Sequence, residues 1–294
     1  MRIGFLALIL GTLASCSVPK VMNQSGRVAP KGTVTGGLTY MANVSQVSSV
    51  IMGDVVKNYI QDYKSGDSVE YDKLLLDANA ALVAYAIDPI AFGPQFYVRV
   101  GVWDRLELGY TRTKRTNMFS LQTQFLGFEK ERIEESKIRW YGSAGLQYSW
   151  NKYNLPDFFG KVQNRLGFEY KRRDLLIPIN FSYSFGPNET YGAIGFGAVI
   201  GFHRIEYSFL PDRIFNDKGM PLQPVNYINK FSSIGFFANI KFGYKYAYLI
   251  PSIAVYYQEY GTYPLLDRST IFLKGFTFVP ALTLQLNSIR KSKK

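Results

Sequence analysis

The stretch from residue 231 to residue 258 constrains the fold most, because apolar and polar side chains alternate along it in two long runs. The first run alternates an apolar set with a small or polar set: Ile234, Phe236, Ala238, Ile240 and Phe242 against Ser233, Gly235, Asn239, Lys241 and Gly243. A period of two predicts β-strands. A soluble sheet would have the same period. The length of each run and the glycine and lysine on the polar face are typical of strands with lipid outside and a polar lumen inside.

Similar alternation predicts strands along most of the chain. They are expected at 33–41, 95–102, 106–110, 118–127, 138–150, 174–185, 191–208, 231–243, 246–258 and 270–285. The mean hydropathy of -0.06 excludes a bundle of membrane helices, since a spanning helix needs about 20 apolar residues. The sequence therefore predicts an all-β chain, an antiparallel up-and-down transmembrane β-barrel of about ten strands over residues 32–287.

One segment, 43–94, departs from the strand pattern. Two apolar stripes at helical spacing predict a helical insertion between strands 1 and 2: Ile51, Met52, Val55, Val56, Tyr59, Ile60 and Tyr63, then Leu74, Leu75, Ala78, Ala81, Leu82 and Tyr85. The part from 80 to 87 could equally be a strand. The stripes must cover each other, the barrel mouth or a partner. We expect them to pair with each other over the mouth, because the link at 65–67 is short.

A short hairpin supports the same fold by resemblance. The run from Gly101 through Trp103, Asp104 and Arg105 to Gly109 resembles the tight hairpin common in bacterial outer-membrane β-barrel proteins of a largely uncharacterised group. The resemblance implies a barrel and carries over no functional residues. The chain departs from that group's usual pattern at its C-terminus, where Leu286 is followed by a basic tail, 288–294, in place of a terminal aromatic residue.

The N-terminal residues have the pattern of an export signal. Arg2 precedes an apolar run at 3–10, so 1–15 is predicted to be a signal peptide outside the fold. The following Leu-Ala-Ser-Cys resembles a bacterial lipoprotein signal, which would make Cys16 a lipidated first residue and 16–31 a tether. An ordinary secretory signal with a chance cysteine is the alternative.

The connections between strands predict an orientation. With the N-terminus on the periplasmic side, short turns fall inside and long loops fall outside, as in barrels of the bacterial outer membrane. Trp140 and Trp150 share one strand face, and their spacing of about 25 Å along the membrane normal matches the apolar band. We therefore expect them to lie in opposite aromatic girdles.

Candidate chemistry is sparse. The lumen candidates are one histidine and five charged residues: His203, Arg99, Arg105, Glu107, Arg139 and Lys241. The five charged residues are expected to form a structural salt-bridge network. His203 is the sole candidate for a catalytic base, but no serine is near it in sequence, so no catalytic residues are assigned. One histidine and one cysteine predict no metal site and no cofactor.

The charge of +12 does not point to nucleic acid, because the basic residues are scattered and no nucleic-acid motif accompanies them. The densest groups are Arg112, Lys114 and Arg115, then Lys171, Arg172 and Arg173. They lie at predicted strand ends. They are either solvated charge flanking an apolar band or a binding site for anionic lipid phosphates. Outer-membrane lipids are the expected partners, with a protein partner at the outer loops.

The function predicted from these features is a lipid-anchored outer-membrane β-barrel with a structural, accessory or ligand-binding role through its extracellular loops. The alternative is a narrow transport barrel for a small or hydrophobic solute. About ten strands leave a lumen that side chains largely fill, which disfavours a general porin. A soluble lipid carrier would need polar outward and apolar inward faces. An enzyme is not expected.

Overall fold

The computed structural model describes residues 25–65, 71–113, 116–127, 139–153, 167–210, 223–265 and 269–288. The elements, in chain order, are β1 Val34–Ser45, α1 Gln46–Ser65, α2 Tyr71–Ile87, β2 Ala91–Trp103, β3 Leu106–Arg112, β4 Thr116–Leu126, β5 Trp140–Tyr153, β6 Glu169–Ser184, a 3-10 turn Pro187–Glu189, β7 Gly192–Phe209, β8 Val225–Tyr244, β9 Ala247–Pro264 and β10 Thr270–Asn287. The predicted signal peptide, Cys16 and the tail beyond Ser288 lie outside the described residues.

The ten strands form one closed antiparallel barrel. Each strand pairs with its neighbours in the chain, and β1 closes the sheet by pairing with both β2 and β10. The predicted up-and-down barrel and the helices between strands 1 and 2 are therefore confirmed. We call the end that holds the turns at 104–105, 187–189 and 245–246 the turn end, and the opposite end, which holds α1 and α2, the helix end.

The two faces of the wall are those that the alternation predicts. On β8, Ile234, Phe236 and Ile240 are exposed on the outside, while Ser233 and Asn239 are buried inside. The same alternation recurs on β6, β7, β9 and β10. The molecule thus exposes an apolar exterior and encloses an interior in which buried polar groups lie among apolar clusters.

The strands are longer at the helix end than the alternation predicts. β1 extends to Ser45, β2 begins at Ala91, β8 begins at Val225 and β9 continues to Pro264. The outward residues there include Asn226 and Glu259, so the apolar pattern stops before the strand does. Strands β7 to β10 have 18 to 20 residues, whereas β3 has 7. The wall is tall on one side as a result.

The predicted helical insertion at 43–94 consists of two helices, α1 and α2. The two ends of that span belong to β1 and β2 instead. α1 begins directly after β1, where the Ser45 hydroxyl accepts a hydrogen bond from the Ser48 backbone N–H at 3.3 Å and caps the helix. α2 ends at Ile87, so residues 80–87 are helical rather than a strand. No helix in the described part of the chain is long and apolar enough to cross a membrane.

The described part of the predicted tether is not a free linker. Residues 25–31, which we call the strap, cross the turn end of the barrel inside the wall. Val28 and Ala29 are buried, and Lys31 forms a parallel bridge with Gly101. The chain then turns at Gly32, whose φ is 74°, and enters β1.

Candidate functional site

The helix end of the barrel is filled by the last turns of α2. Residues 81–88, which we call the plug, are eight consecutive buried residues. Since a helix has about 3.6 residues per turn, eight buried residues in a row are enclosed on every side. Their neighbours are inward-facing aromatic and aliphatic residues of the tall wall, Phe168, Tyr170, Ile205, Tyr207, Phe209, Phe231, Tyr260, Tyr263, Leu265 and Leu273. The helices pack against each other and α1 against β10, while α2 also enters the mouth.

Two charged residues hold the plug at its C-terminal end. Arg172 on β6 donates a hydrogen bond from Nη1 to the Ile87 carbonyl at 2.7 Å, which places a positive charge at the negative end of the helix dipole. Asp88 accepts hydrogen bonds from Asn43 Nδ2 at 2.9 Å and from the Tyr260 hydroxyl at 2.7 Å. Thr277 also donates to Asp88. The plug is therefore bound to β1, β6, β9 and β10 at once.

Below the plug, Arg172 joins a buried relay of three further polar side chains. Arg172 Nε and His203 Nδ1 lie 2.6 and 2.5 Å from Asp174 Oδ1, and His203 Nε2 lies 2.8 Å from Ser233 Oγ. His203 Nδ1 also lies 3.1 Å from Arg172 Nη2, so the guanidinium and the Asp174 carboxylate contact the same ring nitrogen, while Nε2 and the Ser233 hydroxyl share the hydrogen bond on the other side of the ring. Gly201 makes this geometry possible, because a Cβ there would lie 2.5 Å from Ser233 Oγ.

The relay has the order of a catalytic Asp-His-Ser triad. It is nonetheless buried: His203 is 5% exposed and Ser233 is 6% exposed. Phe231 stacks on the imidazole at 4.6 Å between ring centroids. In this position the relay ties β6, β7 and β8 together beneath the plug.

The middle of the lumen is closed by apolar side chains. Seven inward residues from six strands pack there: Met41, Leu176, Val199, Phe237, Ala254, Tyr256 and Val279. We call these seven residues the mid-lumen cluster. They lie between the polar groups of the helix end and those of the turn end.

The turn end is filled by the strap, whose backbone is bound by wall side chains. Ala29 N–H donates to Glu107 Oε2 at 2.7 Å, and Val28 N–H donates to Gln124 Oε1 at 3.1 Å. Gln122 Nε2 donates to the Ser25 carbonyl at 2.9 Å. An extended segment cannot pair its own backbone, so the wall supplies the partners that burial requires.

A second buried carboxylate, Glu189, lies beside the strap. Its φ of 58° is in the left-handed region, which is uncommon for a residue with a side chain, and this turn directs the carboxylate into the barrel. Lys241 Nζ lies 3.0 Å from Glu189 Oε2, and Ser25 and Ser182 donate to the other oxygen. Burial acts to raise the pKa of Glu189, but Lys241 and the hydroxyl donors outweigh it and lower that pKa.

The structure separates the predicted lumen residues into two groups. His203, Glu107, Arg99 and Lys241 lie in the interior, where Arg99 Nε is 3.7 Å from Glu107 Oε1. Arg105 and Arg139 do not: Arg105 is exposed in the β2–β3 turn, and Arg139 is exposed just before β5. The physical reason is that both lie outside the paired strands, where alternation no longer assigns a face.

The two tryptophans face outward from β5. Trp140 is 50% exposed at the turn end of the strand, and Trp150 is 37% exposed near its helix end. Cys16, the lipidation candidate, lies outside the described residues. Within the described ranges, no group of three or more His, Cys, Asp or Glu side chains could hold a metal ion.

Five residues that organise the interior are not among the lumen residues predicted from the sequence: Asp88, Arg172, Asp174, Glu189 and Ser233. A signal for two of them was present. Leu175 and Ile177 belong to the outward face of β6, and the same alternation places Arg172 and Asp174 inward. In the sequence, Lys171, Arg172 and Arg173 are adjacent and resemble a single basic group, which hides the inward position of Arg172. Ser233 lies 30 residues from His203 in the chain, so only strand pairing brings them together.

Comparisons with known proteins place no family name on the chain. No protein-family model matches it, and a search of curated proteins gives no match. Among solved structures it is similar to the attachment invasion locus protein Ail of Yersinia pestis, with 8% identity over 88% of this chain and 99% of that chain and a TM-score of 0.30. The N-terminal β-barrel domain of Pseudomonas aeruginosa OprF gives 7% identity over 88% and 100%, with a TM-score of 0.27. At these values the likeness supports no argument about function.

Proposed function

We propose that this protein is a sealed β-barrel of the bacterial outer membrane, anchored by a lipid on Cys16, with a structural or accessory role. Its N-terminus lies on the periplasmic side in this proposal, so the helix end and its loops face outward and bind a ligand or protein partner. The observation that carries the proposal is that the strap occupies the turn end of the interior, the mid-lumen cluster its middle and the plug its helix end, with a cavity of about 60 Å³ left beside the strap.

The exposed apolar exterior supports membrane insertion. Large apolar side chains on all ten strands face outward, and such a continuous surface exceeds what soluble monomers expose. Carbonate extraction of membranes tests insertion. The Cys16→Ala variant separates the barrel from the anchor, because it cannot be lipidated: it should lose fatty-acid labelling and still resist carbonate. Release of this variant by carbonate would contradict a spanning barrel.

The closed interior disfavours the alternative of a narrow transport barrel. Ten strands enclose a lumen that side chains can fill, and here two chain segments also enter it. Conductance in a planar bilayer tests the point. We expect no steady current from the intact protein, and none after deletion of 47–84 alone, because the mid-lumen cluster remains. Steady conduction by the intact protein would favour transport.

One observation favours a second function, acyl hydrolysis. In a hydrolase, Ser233 Oγ would attack an ester carbonyl while His203 Nε2 took the hydroxyl proton, and Asp174 would stabilise the imidazolium. The ester C–O bond would then break as the alcohol left with that proton, and water, activated by His203, would release the acid from the acyl-serine. Labelling with a fluorophosphonate probe distinguishes the two functions. A sealed barrel should not label. Labelling that both Ser233→Ala and His203→Ala abolish would establish the relay as catalytic in place of the structural role.

A further inference from the structure

Three cations lie side by side on the outer wall toward the helix end. Arg173 on β6 is directly opposite Arg204 on β7, which is directly opposite Lys230 on β8. All three are exposed on the outward face. Since directly opposite residues of neighbouring strands have Cβ atoms about 5 Å apart, the three charges share one small patch. We call this patch the cationic row.

The arrangement is electrostatically unfavourable without an anion, because like charges directly opposite each other destabilise a sheet. Two outward cations elsewhere have different neighbours: Lys274 is opposite Glu259, and Arg112 is opposite Asn117. On β6 itself, Lys171 is opposite Lys152 on one side and Glu206 on the other. A carboxylate does lie near the row.

That carboxylate is Glu206, whose Oε1 is 2.9 Å from Arg204 Nη2 and which is directly opposite Lys171. It offsets only part of the positive charge of the row: three cations and one carboxylate leave +2. The patch is therefore complementary to an anion with more than one acceptor oxygen.

An apolar groove begins where the row ends. It has a volume of about 530 Å³, and its outward lining consists of the three cations with Tyr148, Leu175, Phe202 and Ser232. The inward residues Asp174, His203 and Phe231 also border it. Ser232 accounts for the depression, because its small side chain stands in the outward row of β8 where Ile234 and Phe236 are large and exposed. The groove is continuous with the apolar exterior.

We propose that the cationic row and this groove bind an anionic membrane lipid whose headgroup carries a phosphate. The phosphate oxygens accept charge-assisted hydrogen bonds from the two guanidinium groups and Lys230, and an acyl chain fills the groove against Phe202 and Leu175. A free phosphate would leave the apolar groove exposed, which favours the lipid. The inference rests on the proposed membrane insertion and is independent of which end faces outward.

The test measures lipid binding to the detergent-solubilised full chain by native mass spectrometry. Phosphatidylglycerol and phosphatidylcholine with identical acyl chains are compared. The protein should retain phosphatidylglycerol preferentially. In Arg173→Gln/Lys230→Gln, its affinity should fall by about 10- to 30-fold, from about 1 kcal/mol per cation near a membrane surface. Ser232→Leu, which fills the groove without changing charge, should also weaken it.

The matched control is Arg112→Gln/Lys274→Gln, which removes the same number of outward cations elsewhere. Its phosphatidylglycerol affinity should be unchanged, and equal losses in the two double variants would overturn the site. Displacement of the lipid by excess inorganic phosphate would also overturn it, because the occupant would then be a free anion. Carbonate extraction separates this test from the proposed function. If the row variant resists carbonate, the barrel is inserted but lacks its lipid site. If carbonate releases the wild-type chain, the proposed membrane insertion is itself wrong.

Discussion

The two ends of the barrel are closed in physically different ways. At the turn end an extended strap lies across the lumen, and the wall around it is polar, with Glu107, Gln122 and Gln124 bound to strap backbone atoms. At the helix end a helical plug enters the lumen, and the wall around it is mainly aromatic and aliphatic. Polar partners meet the helix chiefly where it ends, at Ile87 and Asp88.

The difference follows from the backbone of the segment that each end must bury. A helix pairs its own N–H and C=O groups except at its ends, so its sides can be packed by apolar residues. An extended segment pairs none of its own, so its wall must supply donors and acceptors all along it. The composition of each wall thus reflects the secondary structure of the chain inside it.

The largest effect is expected when the positive charge of Arg172, at the C-terminal end of the plug, is removed. Arg172→Met should destabilise the barrel by about 3–5 kcal/mol, because it leaves Asp174 buried without its cation and the Ile87 carbonyl without its donor. Thermal unfolding in detergent measures the loss. Arg173→Met, the next residue on the outward face, is the control and should change stability by less than about 0.5 kcal/mol. Equal losses would show that the plug is not held by its end.

A smaller effect is expected from the apolar side of the plug. Leu82→Ala should cost about 3 kcal/mol, since it opens a cavity among aromatic residues that cannot close around it. Val50→Ala on the exposed part of α1 is the control. Chemical denaturation of the detergent-solubilised barrel measures both, and a negligible loss at Leu82 would contradict tight packing at the helix end.

At the turn end, Gly101→Ala should displace the strap. A Cβ at Gly101 would lie 2.2 Å from the Pro30 carbonyl oxygen, so the strap or the wall must shift. This shift should destabilise the barrel by about 1–3 kcal/mol. Hydrogen exchange should show faster exchange at Val28 and Ala29 while the plug keeps its protection. Gly36→Ala is the control, with its nearest atom at 3.6 Å. Loss of protection at both ends would mean that the two closures are coupled.

The smallest effect is a pH dependence confined to the turn end. Because the pKa of Glu189 is lowered in the folded barrel, its contribution is present above the ordinary carboxyl range and is lost as pH falls through the lowered value. Acidification should therefore lower the protection factors of the strap amides, taken relative to the intrinsic exchange rate at each pH, before those of the plug. Glu189→Gln should flatten this dependence, and an unchanged pH profile in that variant would assign it to another group.

Regions outside the apolar band are where expectation and structure differ. Within the apolar band, the strands predicted from the alternation agree with the structure, because outward and inward positions demand opposite chemistry. Beyond it, β8 begins at Val225 instead of 231 and β9 continues to Pro264 instead of 258, because outward residues such as Asn226 and Glu259 interrupt the apolar pattern. The two helices contact each other, as expected, but the expected cap over the mouth does not include the entry of α2 into the lumen.

The up-and-down barrel, the faces of its strands and the helices between the first two strands are predictable from the sequence, because a period of two and a period of 3.6 are local properties of the chain. Tertiary structure alone decided what fills the lumen. The relay from Asp174 through His203 to Ser233, the cationic row from Arg173 to Lys230 and the strap on Gly101 all join residues far apart in the chain. Strand register sets these contacts, and register depends on how the whole sheet closes.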